Sequence, residues 1–166
     1  MDRSILDPQV RKSLDLFRIE CDVLECDPAM ADTAAFCEHY GFSLAQAANT
    51  ILVSSKKIEP PKYAVCVVLG TTRLDVNKKV SELMEVKRLS FADAEVTQSL
   101  TGMAIGGVTA IGISEIPIYV DSKVMDQERV VMGGGNRSSK IILDPQQLLN
   151  LPGITVVENL AVAKTE

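Results

Sequence analysis

The sequence predicts a mixed α/β domain with a curved sheet, and three observations carry that prediction. Helical periodicities alternate with many short strand-like runs, a pattern that demands layers of helix against sheet. Residues Tyr63 to Leu69, YAVCVVL, form one continuous apolar run of strand length, the mark of a strand buried on both faces. Of the ten glycines, seven fall between residues 102 and 135: Gly102, Gly106, Gly107 and Gly112, then Gly133, Gly134 and Gly135. They bracket the short apolar run Ile116 to Val120. Two glycine loops flanking a strand expose bare N–H and C=O groups to an approaching molecule, or else serve as the tight turns of a compact sheet.

The elements are justified in order. Asp7-Pro8 is a carboxylate N-cap followed by a proline at the first helical position, and Leu6, Val10, Leu14 and Phe17 make the core-facing stripe of the helix it opens. Cys21 to Cys26 reads as a short strand broken by Asp27-Pro28. Asp32 caps a second helix through Tyr40, which Gly41 stops. Ser43 and Gln46 form a capping box for a short helix over Ser43 to Ala48. Asn49 to Ser55 is a strand, Pro60-Pro61 a turn, and Tyr63 to Leu69 the central strand. Asp75 caps a helix with Val76, Val80, Leu83 and Met84 on one face, and Ser90 with Asp93 opens another that runs through Leu100 to Gly102. Ile116 to Val120, Arg129 to Met132 and Lys140 to Leu143 are strands, the last two joined by the turn GGGNRSS. Asp144-Pro145 opens a helix ending near Asn150, and Ile154 to Val157 is a final strand.

Bulk properties restrict the function. A length of 166 residues predicts one domain over 1–166, and 46% apolar with 23% charged residues is the composition of a globular protein. The absence of a bilayer-length apolar run excludes a transmembrane helix, and the charges in MDRSILDPQV leave no room for a secretory signal, so the expected location is the cytoplasm. Four cysteines without a C-x-x-C pair and a single histidine predict no metal site, and the thiols read as reduced and mostly buried. A net charge of −5 argues against a broad nucleic-acid-binding surface. Two local basic groups remain, Arg137 with Lys140 and Lys56 with Lys57 and Lys62, and a run of that size reads as a solvated face.

Motifs for the common catalytic centres are missing. There is no G-x-S-x-G elbow, no P-loop and no histidine pair, and GGGNRSS joins two strands instead of opening a crossover helix, so it is no dinucleotide fingerprint. Chemistry in such a chain falls to backbone amides and water, and no cofactor is expected. The ordered series EHYGFSLAQAANTILV, YAVCVVLGTTRLDVNKKV, LTGMAIGGVTAIG, IPIYVD and VVMGGGNRSSKIILDPQQLL resembles the YbaK and prolyl-tRNA synthetase editing-domain family of aminoacyl-tRNA deacylases. The resemblance runs from about Thr33 to the end of the chain.

That resemblance implies a curved, barrel-like mixed sheet wrapped by helices, and a pocket that hydrolyses mischarged aminoacyl-tRNA. By position, Gly106, Gly107, Val108 and Thr109 would form the loop whose amides hold the aminoacyl group, while Gly135, Arg137 and Ser138 would line the far side. Gly106 and Gly107 are thus expected to serve ligand approach more than the turn itself. The chain departs from the family in two places, having Asn49 where a lysine is usual and Ala110 where the glycine loop usually has proline. Asn49 replaces a fixed charge with a neutral amide, or simply closes a helix-to-strand junction. The implied partners are the aminoacylated 3′ end of tRNA and an aminoacyl-tRNA synthetase. Three readings stay open: a free-standing deacylase, a catalytically silent module that binds tRNA ends or aminoacyl ligands, and a hydrolase of another activated ester. Ile51, Met103 and Ile111 are the side chains expected to set pocket size.

Overall fold

The computed structural model describes residues 2–164. Its organising element is a five-stranded mixed sheet in the order β5-β2-β3-β6-β9, made of β2 (Ala48–Ser55), β3 (Tyr63–Leu69), β5 (Leu89–Phe91), β6 (Ile118–Asp121) and β9 (Ile154–Val157). β3 pairs antiparallel with β2 and parallel with β6, so it lies at the centre, as its unbroken apolar run demands. Alternate residues of β3 serve two cores. Val65, Val67 and Leu69 pack with Val10 and Leu14 of α1 (Pro8–Leu16). Ala64, Cys66 and Val68 pack with Val80, Met84 and Leu160 on the other side.

A second sheet of three antiparallel strands, β1 (Asp22–Glu25), β8 (Ser139–Leu143) and β7 (Val130–Gly133), lies in the order β1-β8-β7. A single bridge between Ala47 and Val131 links it to the edge of β2. Helix α2 (Thr33–Tyr40) covers it through Phe36 and Cys37, with Phe36 stacked on Tyr40 and Phe42 at 4.8 and 5.4 Å. The third sheet joins β4 (Thr72–Leu74) to β10 (Ala161–Ala163). The mixed α/β class is as expected, but three sheets stand in place of one curved sheet, and no closed barrel forms among the described residues. No helix among them is long and apolar enough to cross a membrane.

Several local expectations change. Asp7, Asp93 and Asp144 cap their helical segments as the sequence predicts, each accepting from a backbone amide. Asp32 occupies the N-cap position of α2 without a capping bond, its carboxylate being engaged elsewhere. The capping box of Ser43 and Gln46 forms, yet it starts only a 3-10 turn over Leu44–Gln46, because Ala48 already belongs to β2. Ser90 lies in β5, so Asp93 alone starts α4 (Ala94–Thr101). Residues Val76–Val80 are π-helical and lead into the single turn α3 (Ser81–Met84). The strands β4, β5 and β10 and the single-turn helix α5 (Ser122–Met125) have no sequence signal of their own; segments of three or four residues are too short to show a period.

The buried centre of β3 has a consequence at alkaline pH. Burial pushes the Cys66 thiol up to about 12 from its ordinary 9.0. In the unfolded chain it ionises near the ordinary value, so its contribution to stability is complete below 9.0 and is lost as pH rises towards about 12. Each unit of that interval is worth about 1.4 kcal/mol. Denaturant unfolding followed through this interval should show stability falling with pH, and Cys66→Ala should show a shallower fall from a lower starting value. Parallel alkaline limbs in the two proteins would contradict this placement of the thiol.

Candidate functional site

The site is built on direct contact between the two glycine-rich segments. Gly106 has φ 90°, a left-handed backbone that glycine adopts at no steric cost. Gly107 lies in an ordinary conformation but packs so tightly that an added Cβ would fall on the backbone carbonyl of Asn136. The Gly135 amide donates to the Gly107 carbonyl at 2.7 Å, and the Ala104 amide donates to the Gly135 carbonyl at 3.3 Å. Asn136 holds the facing turn: its Oδ1 accepts from the Ser138 amide (3.0 Å), the Ser138 hydroxyl (3.1 Å) and the Ser139 hydroxyl (2.8 Å).

Arg137 clasps this assembly from outside. Its guanidinium donates to the Ile105 carbonyl (2.9 Å), to the Pro28 carbonyl through Nε and Nη2 (3.2 and 2.9 Å), and to the Asp32 carboxylate (3.1 Å). This use of Asp32 explains why the carboxylate does not cap α2.

A cavity of about 290 Å³ opens between the glycine loop, α2 and the start of β2. Thr33 and Phe36 form one wall and Ala47 through Ile51 another, with Ile105, Gly106 and Val108 on the loop side and Val131, Met132, Gly133 and Lys140 behind. The register of β2 gives this wall its polarity. β3 bonds to β2 through the odd-numbered residues of β2, leaving the even-numbered ones facing the opposite edge. Leu52 there accepts from Ala92, whereas Thr50 lies beyond the reach of β5 and, among the described residues, pairs with no strand on that edge, across which β7 stands on the far side of the cavity.

The polar groups of the cavity are few. Asn49 Oδ1 accepts from the Thr33 hydroxyl at 2.7 Å, which orients the carboxamide and leaves Nδ2 without a partner among the described residues. The amides of Gly106 and Val108 likewise donate to nothing among them. Lys140 Nζ donates to the Ala31 carbonyl (2.7 Å) and the Gly106 carbonyl (2.9 Å) and lies 5.3 Å from the centre of the Phe36 ring. Lys140 is only 7% exposed, and burial pushes its ammonium below the usual lysine range, against the opposing pull of Cys26 and Asp32. Among the described residues no histidine or carboxylate lines the cavity.

Of the residues singled out in the sequence, the structure brings Asn49, Gly106 and Val108 together on this cavity. The others stand behind it. Gly107 spends its amide on the Ala104 carbonyl at 2.9 Å. Thr109 is fully buried, with its hydroxyl unpartnered among the described residues. Ala110 is a core residue whose amide donates to the Thr50 hydroxyl at 3.2 Å. Gly135, Arg137 and Ser138 form the supporting turn. Ile51 lines the cavity while packing on the second core, and Met103 and Ile111 are buried in the main core. Lys140, which the sequence places on a solvated basic face, is buried instead: the alternation of β8 puts it with Ile142 on the face opposite Ser139, Ile141 and Leu143, and α2 packs over that face.

The model of the aminoacyl-tRNA editing domain matches residues 27–151. A solved structure described as a candidate trans-editing enzyme for prolyl-tRNA synthetase superposes with a TM-score of 0.76 at 25% identity, covering 92% of this chain and 97% of that one. The hypothetical protein APE2540 superposes with a TM-score of 0.81 at 22% identity over 93% of this chain and 99% of its own, and shows the shared fold.

The contact between Gly107 and Asn136 is backbone against backbone and cannot yield by a side-chain rotation. Gly107→Ala should therefore cost about 1–3 kcal/mol of stability, roughly 3–10 °C in Tm for a chain of this size. Calorimetry checks this, and an unchanged Tm would restore the expectation that Gly107 serves ligand approach alone.

Proposed function

This chain belongs to the aminoacyl-tRNA editing-domain family, and on that premise we propose that it is a free-standing deacylase that hydrolyses the ester of mischarged aminoacyl-tRNA. The observation that carries the reading is the cavity itself: mostly apolar walls that fit an aminoacyl side chain, with unpaired amides at Gly106 and Val108 and the Asn49 carboxamide beside them. Donors fixed in place before the reaction stabilise a developing oxyanion, each by roughly 3 kcal/mol. On this reading Asn49 contributes through Nδ2, since Thr33 occupies its oxygen, and Val108 through its backbone amide. Gly107 acts indirectly, by setting the direction of the loop. Among the described residues no titratable group lines the cavity apart from Lys140, so the attacking water is activated by a hydroxyl of the tRNA terminus. The chain acts as one domain, in the cytoplasm, with the aminoacylated 3′ end as its partner and without a cofactor.

The same lack of a carboxylate or histidine base favours a second reading, a silent module that binds the aminoacyl end without cleaving it. Purified protein incubated with a panel of mischarged tRNAs separates the two: release of amino acid above the spontaneous rate for at least one member supports the deacylase. Asn49→Ala should then lower that rate by about 100-fold, while losing no more than about 1 kcal/mol of stability with the Thr33 bond. Binding of the panel with no release would select the silent module, and loss of stability with the per-molecule rate unchanged would return Asn49 to a structural role.

A further inference from the structure

Lys140 is a charge that the fold buries without an ion-pair partner among the described residues. In β8 it pairs with Gly133 on one side and Leu24 on the other, and this register sends its side chain under α2 towards Phe36. Among the described residues no carboxylate forms an ion pair with it; the nearby Asp32 is bound to Arg137 at 3.1 Å. Desolvating an unpaired ammonium opposes folding strongly, and two carbonyls with an aromatic face offset only part of that cost. An ammonium also has three N–H donors, and Ala31 and Gly106 take two.

Four donor groups of the cavity remain without a partner among the described residues: the third N–H of Lys140, Asn49 Nδ2, and the amides of Gly106 and Val108. Such a lining is matched by a ligand that brings an oxygen acceptor, best one bearing negative charge. We propose that Lys140 is a catalytic residue of this cavity, whose ammonium stabilises the oxyanion formed on the aminoacyl ester. The proposal rests on the deacylase reading. In the step concerned, water adds to the ester carbon and the C=O electron pair moves to the oxygen facing Lys140. The tetrahedral species then re-forms C=O and expels the ribose oxygen, which takes the proton released by the water, giving free amino acid and an intact tRNA end. The hold on the Gly106 carbonyl also ties the charge to the loop whose amides face the same oxygen.

Lys140→Gln tests this, because a carboxamide can still donate to the Ala31 and Gly106 carbonyls while carrying no charge. In single-turnover assays on a mischarged tRNA that the unaltered protein hydrolyses, the variant should lose about 100-fold in rate, with tRNA affinity within about threefold. Lys140→Arg, which keeps the charge, should retain more of the rate. Two stable probes supply a readout without turnover: a 3′-aminoacylamino-adenosine, which is neutral at the acyl carbon, and its phosphonate counterpart, which carries a tetrahedral oxyanion. The unaltered protein should prefer the phosphonate, and Lys140→Gln should lose at least about tenfold of that preference. A folded Lys140→Gln protein with full rate, or with weaker tRNA binding at an unchanged rate, overturns the proposal and leaves the deacylase reading standing. A phosphonate preference that depends on Lys140, in a protein that cleaves no tRNA of the panel, removes the deacylase reading while the oxyanion site stands. Should Lys140→Gln fail to fold, the preference of the unaltered protein and of Lys140→Arg decides, and its absence from both overturns the proposal.

Discussion

The close approach of two backbones, at Gly107 and Asn136, is the constraint on which the site depends. Where side chains would separate the loop of residues 104–108 from the turn of residues 133–139, glycine lets main chain lie on main chain, with Gly135 donating to Gly107 and Ala104 to Gly135. This contact sets the distance between the loop and β8. From it follow the reach of Lys140 to the Gly106 carbonyl and that of Arg137 to the Ile105 carbonyl. Glycine at these positions therefore fixes the path of the loop: it is tied from behind by these main-chain bonds, and the unpartnered amides of Gly106 and Val108 belong to the segment so held.

The central strand supplies the other half of the frame. Because β3 is buried on both faces, β2 is held in one register, and a shift of one residue would exchange Asn49 and Ile51 with Thr50 and Leu52. β5 covers only the far end of β2, from Val53 to Ser55, and this shortness leaves the edge at Thr50 open to the cavity. The bridge from Ala47 to Val131 then closes the floor by joining the two larger sheets. An incomplete sheet edge, bounded by a bridge on one side and a short strand on the other, is what makes room for a ligand beside a well-packed core.

Much of this architecture is legible in the residues. The Asp-Pro pairs at 7 and 144 open helical turns, Gly41 and Gly102 stop helices in left-handed conformations, and YAVCVVL marks the central strand. The order of motifs carries the family. What the sequence does not disclose are the consequences of contacts between distant segments. Asp32 looks like a cap until Arg137, 105 residues away, takes its carboxylate. Gly107 and Gly135 look like ligand-facing residues until their neighbours are seen, the Asn136 backbone against Gly107 and the Asp7 and Val10 side chains against Gly135, and Ala110 looks like a departure at the site although it lies in the core. Lys140 is the clearest case. Charged residues are rarely buried without a partner, so composition assigns it to the surface, and only the register of β8 beneath α2 reverses that assignment.

One cavity gathers the Gly106 and Val108 amides, the Asn49 carboxamide and the Lys140 ammonium, which on the proposed function meet at a single acceptor oxygen. A crystal structure of the protein with a 3′-aminoacylamino-adenosine tests it most directly. The account predicts the aminoacyl group between Phe36 and Val108, with its acyl oxygen within about 2.7–3.2 Å of Lys140 Nζ and of the Gly106 or Val108 amide. Binding in another cleft, such as that between Arg73 and Val162, or an acyl oxygen that meets none of these donors, would contradict it.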